Sequence, residues 1–128
     1  MSEKKVTLVA REIFGLYGYN INYCNVIFLS DNELLEINKS FLGHDYFTDI
    51  ITFNYGERKD IEAELYISLE RVMENAENLH VKLEDELYRV IIHGMLHLCG
   101  FKDDTNELKN EMRKIEDKFL ELVSRETI

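Results

Sequence analysis

The chain has 128 residues, 15 basic against 25 acidic side chains, a formal charge of −10 and 45% hydrophobic residues, which fits one domain spanning 1–128 with a core of its own. The acidity excludes a broad basic face for nucleic acid, and two cysteines, Cys24 and Cys99, exclude a disulfide framework or a four-cysteine zinc site. No run approaches the roughly 18 apolar residues of a membrane span, and Glu12 interrupts the first segment where a signal peptide would still be apolar, so a cytoplasmic protein is expected.

Val6, Val9, Ile13, Phe14 and Tyr17 fall at helical spacing over residues 3–17, and the glycines at 15 and 18 mark the end of that helix. Tyr23 to Leu29 is rich in β-branched and aromatic residues and reads as a strand. Ser30 with Glu33 three places on forms a capping-box pattern that opens a helix through Leu34, Leu35 and Ile37. Ile50 to Tyr55 and Glu64 to Ser68 read as two strands of a hairpin around the polar turn from Gly56 to Asp60. Helices follow over about 69–79, 83–99 and 105–122. The last carries the stripe Leu108, Met112, Ile115, Phe119 and Leu122, with Asp104 and Glu107 as a second capping-box pattern. The class expected is α+β, a small mixed sheet packed against helices, with one helix buried at the centre.

Charge is distributed unevenly: residues 31–86 carry the whole net −10, whereas 87–102 hold Arg89, Lys102 and no carboxylate. Within that stretch Ile91 to Cys99 is apolar on nearly every face, as in a helix buried all round, yet it contains two histidines. His93 and His97 lie four apart and so stand one above the other on one helix face, close enough to share an ion. Gly94 costs about 0.8–1.0 kcal/mol relative to alanine inside a helix, so a close neighbour is expected there. Gly100 suits the left-handed residue that ends the helix and turns Asp103 back toward the histidines.

Two imidazoles and one carboxylate leave a fourth tetrahedral position open, which is how catalytic zinc sites differ from closed structural ones. An ion so held can acidify a water toward pKa 7. The metal ligands expected are His93, His97 and Asp103, with Asp104 capping the next helix. Cys99, two residues past His97, lies on the far side of the helix and is expected to pack in the core. The cofactor expected is one divalent ion, with zinc the first candidate.

The run HGMLHLCGFKD from His93 to Asp103 resembles the HGxLHLxGxDH signature of the YbeY family of bacterial rRNA maturation factors, which are single-strand-specific endoribonucleases. Thr48 to Phe53 looks like the family's TDVLSF strand and Glu64 to Ser68 like its GDIxIS strand, with Asn38 and Asp45 also in register. The resemblance implies a metal-dependent endoribonuclease of rRNA processing and ribosome maturation, with rRNA and the ribosomal subunit or its proteins as partners and no membrane. It also implies a first strand ahead of the first helix, which this chain lacks in its sequence pattern. Asp103 and Lys102 replace the family's histidine and aspartate, Leu42 stands where an arginine is common, and Glu64-Leu65 replaces Gly-Asp. A carboxylate at 103 should leave the ion a weaker Lewis acid than three histidines would.

With no arginine at 42, His44, Arg89 and Lys102 are the candidates to line the substrate cleft. His44 sits in a polar loop that borders the cleft in the family, and a helical ion pair to Asp85 is the competing role for Arg89. Thr48 and Asp49 read as residues that pin the start of a strand, and His80 as a surface residue. Two other functions stand beside the nuclease. One is a metallopeptidase, although the metzincin motif has a glutamate base where this chain has Gly94. The other is a ribosome-assembly factor with a structural ion. The general acid or base is not marked by the sequence.

Overall fold

In a computed structural model, residues 2–125 are described. The order is α1 (Glu3–Leu16), β1 (Asn20–Leu29), α2 (Asp31–Leu42), β2 (Ile50–Asn54), β3 (Asp60–Ser68), α3 (Leu69–Leu79), α4 (Leu83–Leu98) and α5 (Asn106–Arg125). The sheet runs β1-β3-β2, with β1 parallel and β2 antiparallel to β3, so the α+β class with a small mixed sheet is what the chain adopts.

Each strand follows the alternation its residues allow. On β3, Ile61, Ala63, Leu65 and Ile67 are fully buried and face the helices, while Glu62, Glu64 and Tyr66 turn to the other face. Leu65, at the family's aspartate position, is a core residue and has no access to solvent. The two strands that begin earlier than their composition suggests do so together: Asn20 pairs with Asp60 and Ile21 with Ile61, and a bulge follows at Asn22. Parallel pairing to a distant segment extends β1 and β3 through polar residues that look like turn. The Ser30–Glu33 capping box forms as expected, with Glu33 N donating to Ser30 Oγ at 3.1 Å and Ser30 N to Glu33 Oε1 at 2.9 Å.

The second capping pattern is corrected by one residue. Leu108 N donates to Thr105 Oγ1 at 3.1 Å, so Thr105 caps α5 and Asp104 does not. Helix α4 is the centre of the molecule. Val90, Ile91, Ile92, Met95 and Leu96 are all buried, with α1, α3, α5 and the sheet packed round them. Gly94 explains how close the sheet comes: a Cβ built there would stand 2.6 Å from Ile50 Cδ1 and 3.3 Å from Thr52 Cγ2. The cost of glycine in the helix is offset by this close approach to β2 and β3.

Gly94→Val is expected to destabilise the fold by about 1–3 kcal/mol, because a branched side chain must displace Ile50 and Thr52 in a packed core. A lowered urea midpoint at unchanged slope is the measurement that checks it; an unchanged midpoint would show that the sheet yields freely.

Candidate metal centre

The end of α4 builds the site. Gly100 adopts φ 90°, Phe101 N donates to Leu96 O at 3.1 Å and Gly100 N to His97 O at 3.0 Å, so the helix closes in a left-handed turn that sends the chain back past its own last turn. This return has two consequences. Phe101 presents its carbonyl to His97 Nδ1 at 2.9 Å, and Asp103 arrives beside both imidazoles.

His93 Nε2 and His97 Nε2 are 2.9 Å apart, and Asp103 Oδ2 lies 3.2 Å from the first and 3.6 Å from the second. Among the described residues these three form the one group whose donor atoms converge closely enough to hold an ion. A tetrahedral zinc with bonds of about 2.0–2.1 Å spaces its ligand atoms by about 3.3 Å, so the triangle fits such an ion with small adjustment. The hydrogen bonds on the other ring nitrogens support the same fit. A carbonyl only accepts, so His97 Nδ1 carries the proton and its Nε2 is left with a lone pair. His93 Nδ1 meets Glu116 Oε2 at 2.6 Å, which leaves its Nε2 free in the neutral ring. With both rings neutral, two lone pairs and a carboxylate oxygen face one another, an arrangement that attracts a cation, either a proton shared between the Nε2 atoms or a metal ion. Burial lowers the pKa of the His93 imidazolium, but the hydrogen bond and charge of Glu116, with Asp103 and Asp49, outweigh it and hold the value above that of ordinary histidine.

Glu116 is only 4% exposed and is itself tied down, accepting from Arg89 Nη1 at 3.0 Å, while Arg89 Nη2 reaches Asp117 Oδ1 at 2.6 Å. Arg89 thus reaches across to α5 instead of pairing with Asp85 along its own helix, and its guanidinium is occupied in holding the carboxylate that meets His93. His44 is exposed and stacks on Tyr46, with ring centroids 5.1 Å apart and Tyr46 Oη 3.0 Å from Nδ1. Lys102 is exposed beside Asp103. Cys99 caps α4 and packs against the core; burial pushes its thiol up to about 11, which opposes the thiolate form a metal requires. His80 is the exposed, left-handed residue that ends α3.

The site opens on a cavity of about 310 Å³ walled by His93, Asp103, Lys109, Asn110, Arg113 and Glu116. A second, of about 130 Å³, is walled by Asp49, Glu86, Arg89, His93, Arg113 and Glu116. Asp49 does pin the strand as its position suggests: its carbonyl accepts from Ser68 N at 3.0 Å and its carboxylate from Asn75 Nδ2 at 3.4 Å. It also faces the histidine cluster, and burial raises its pKa against the opposing pull of His93. Burial likewise raises the pKa of Glu86, against the opposing charge of Arg89. Sequence reasoning missed Glu116, whose signal was its place between Met112, Phe119 and Val123 on the inward face of α5.

Glu116→Ala is expected to weaken metal binding about 10–100-fold, since it frees the His93 ring and leaves Arg89 with Asp117 alone. Glu116→Gln, which still offers an acceptor oxygen, should lose less. Chelator competition measures both, and equal affinity in wild type and Glu116→Ala would remove the orienting role.

The family model described as Endoribonuclease YbeY matches residues 3–124. An endoribonuclease YbeY from Phocaeicola vulgatus is 43% identical over 124 residues, 97% of this chain and 90% of the relative. That of Cytophaga hutchinsonii is 50% identical over 105 residues, 81% of this chain and 73% of the relative. The solution structure of TM1509 from Thermotoga maritima superposes with a TM-score of 0.67 at 33% identity, covering 94% of this chain and 79% of that one.

Proposed function

The chain belongs to the family described as endoribonuclease YbeY, and on that premise we propose that it is a metal-dependent endoribonuclease of rRNA processing and ribosome maturation. His93, His97 and Asp103 hold one divalent ion, zinc by donor set. The observation that carries the reading is the convergence of two imidazole nitrogens and a carboxylate oxygen at the wall of an open cavity. When bound, the ion supplies a positive charge that polarises a phosphoryl oxygen or acidifies a water.

The chain's own residues do the rest. Glu116 and the Phe101 carbonyl fix the two rings with their Nε2 atoms turned inward. Asp49 contributes a carboxyl that burial makes readier to hold a proton, which suits proton transfer at its oxygens. The ligand side chains of His93, His97 and Asp103 are 28%, 30% and 38% exposed, an accessibility that favours catalysis over the closed ion of an assembly factor. Position 94 points into the sheet, which removes the place from which a metzincin glutamate would act. No described helix is long and apolar enough to cross a membrane, and the setting proposed is the cytoplasm, with rRNA and the ribosomal subunit or its proteins as partners.

Elemental analysis paired with a ribonuclease assay on one preparation tests this. About one equivalent of metal is expected per chain, lost together with RNA cleavage in His93→Ala and His97→Ala. A folded, metal-free wild-type protein, or cleavage that survives both substitutions, would defeat the proposal. Asp103→His is expected to move the pH–activity profile downward, because a neutral imidazole leaves the ion more electron-poor than a carboxylate does. A profile that stays or rises would count against Asp103 as a ligand.

A further inference from the structure

A nuclease must hold the phosphates that flank the scissile bond, and the cations suggested by sequence do not cover that need. Position 42 is leucine, Arg89 is committed to Glu116 and Asp117, and neither His44 nor Lys102 lines the two cavities at the histidines. A guanidinium already paired with two carboxylates would have to give them up before it could bind phosphate, and His93 would lose its support in the exchange.

Helix α5 supplies two other cations. Lys109 and Arg113 are both exposed and line the 310 Å³ cavity together with His93 and Asp103. Arg113 also borders the cavity that holds Asp49 and Glu86, and a third of about 460 Å³ running past Leu79 and Val81 toward the far end of α5. The three cavities thus share one arginine as a common wall. Among the described residues neither Lys109 nor Arg113 forms an ion pair, whereas Lys39, Arg71 and Arg89 all do. Lys109 and Arg113 are four residues apart, so their Cβ atoms lie about 5–6 Å from one another on one helix face. Their long side chains can therefore engage successive phosphates of a single strand, with arginine able to bind bidentately.

We propose that Lys109 and Arg113 form the phosphate-binding wall of the catalytic groove and seat the backbone of single-stranded RNA across the His93–His97–Asp103 cluster. The inference rests on the nuclease reading above and adds the residues that hold its substrate. It also places positive charge where an acidic protein needs it: at the 310 Å³ cavity Asp103 and Glu116 are engaged with His93 and Arg89, and these two exposed cations line the same wall.

The test compares Lys109→Ala/Arg113→Ala with Lys114→Ala/Lys118→Ala. The second pair removes the same charge from the same helix at exposed positions that border none of the three cavities. Binding of a single-stranded RNA oligonucleotide is followed by fluorescence anisotropy over a range of salt, and its cleavage is assayed beside it. For the first pair the expected result is a Kd raised at least about tenfold and a plot of log K against log salt shallower by about 1.4, or 0.7 for each lost contact to a single strand. Metal content and Tm should stay unchanged. The second pair should leave the salt slope as in wild type. Lys109→Gln/Arg113→Gln keeps the aliphatic stems and must lose the slope in the same way, which separates charge from packing. Equal effects in the 109/113 and 114/118 pairs, with wild-type cleavage intact, overturn the wall alone. A wild-type chain that neither binds nor cleaves RNA overturns the nuclease reading and the wall with it.

Discussion

The burial of α4 on almost every side is the constraint from which the rest of the molecule follows. The sheet presses on it so closely at Gly94 that any side chain there would have to displace Ile50. With one face taken by β2 and β3, the adjacent face bearing His93 and His97 is left toward α5 and the turn at Gly100. Two polar rings on a buried helix must find partners, because an unpaired polar group in such a place costs about 1–3 kcal/mol. Both rings find them, His97 on the Phe101 carbonyl and His93 on Glu116, and no buried side-chain nitrogen or oxygen among the described residues is left unsatisfied.

Those partners do more than satisfy the rings. In the neutral rings they favour the tautomer whose Nε2 atoms carry no proton and stand toward each other and Asp103. Glu116 is a buried carboxylate that would be costly alone, since losing one partner of a buried pair typically costs about 3–5 kcal/mol. Arg89 neutralises it, and Asp117 holds the other arm of Arg89 at the surface. The line Asp117, Arg89, Glu116, His93 runs from solvent to the clustered Nε2 atoms, joining α4 to α5 by charge where Met112, Phe119 and Val123 join them by packing. Stability and ligand orientation are served by the same contacts.

The global charge of −10 and an RNA substrate are compatible once position is considered. Most of the acidity belongs to residues 31–86, which form α2, the hairpin and α3. The groove at the histidines is walled by α4 and α5, where Glu116 is paired inward with Arg89 and His93 and the cations Lys109 and Arg113 stand exposed at the rim. Steering of a polyanion depends on the local field at the mouth of a cleft more than on the sum over the molecule.

The α+β class, the hairpin, the Ser30–Glu33 capping box, the histidine pair and the glycine turn that delivers Asp103 were all legible in the sequence, because each depends on spacing within a few residues of chain. A helix repeats every 3.6 residues and a strand every two, so neighbours along one element can be read directly. The early starts of β1 and β3 were not legible, since they arise from parallel pairing across about forty residues between polar segments that have no strand signal of their own. Thr105 displaced Asp104 as the cap by the direction of one side chain. Glu116, Asp49 and Arg113 reach the site from α5 and from the start of β2, and Arg89 turned from its own helix to the next. Which side chains meet across elements depends on how helices and sheet pack, and that choice belongs to the tertiary structure alone.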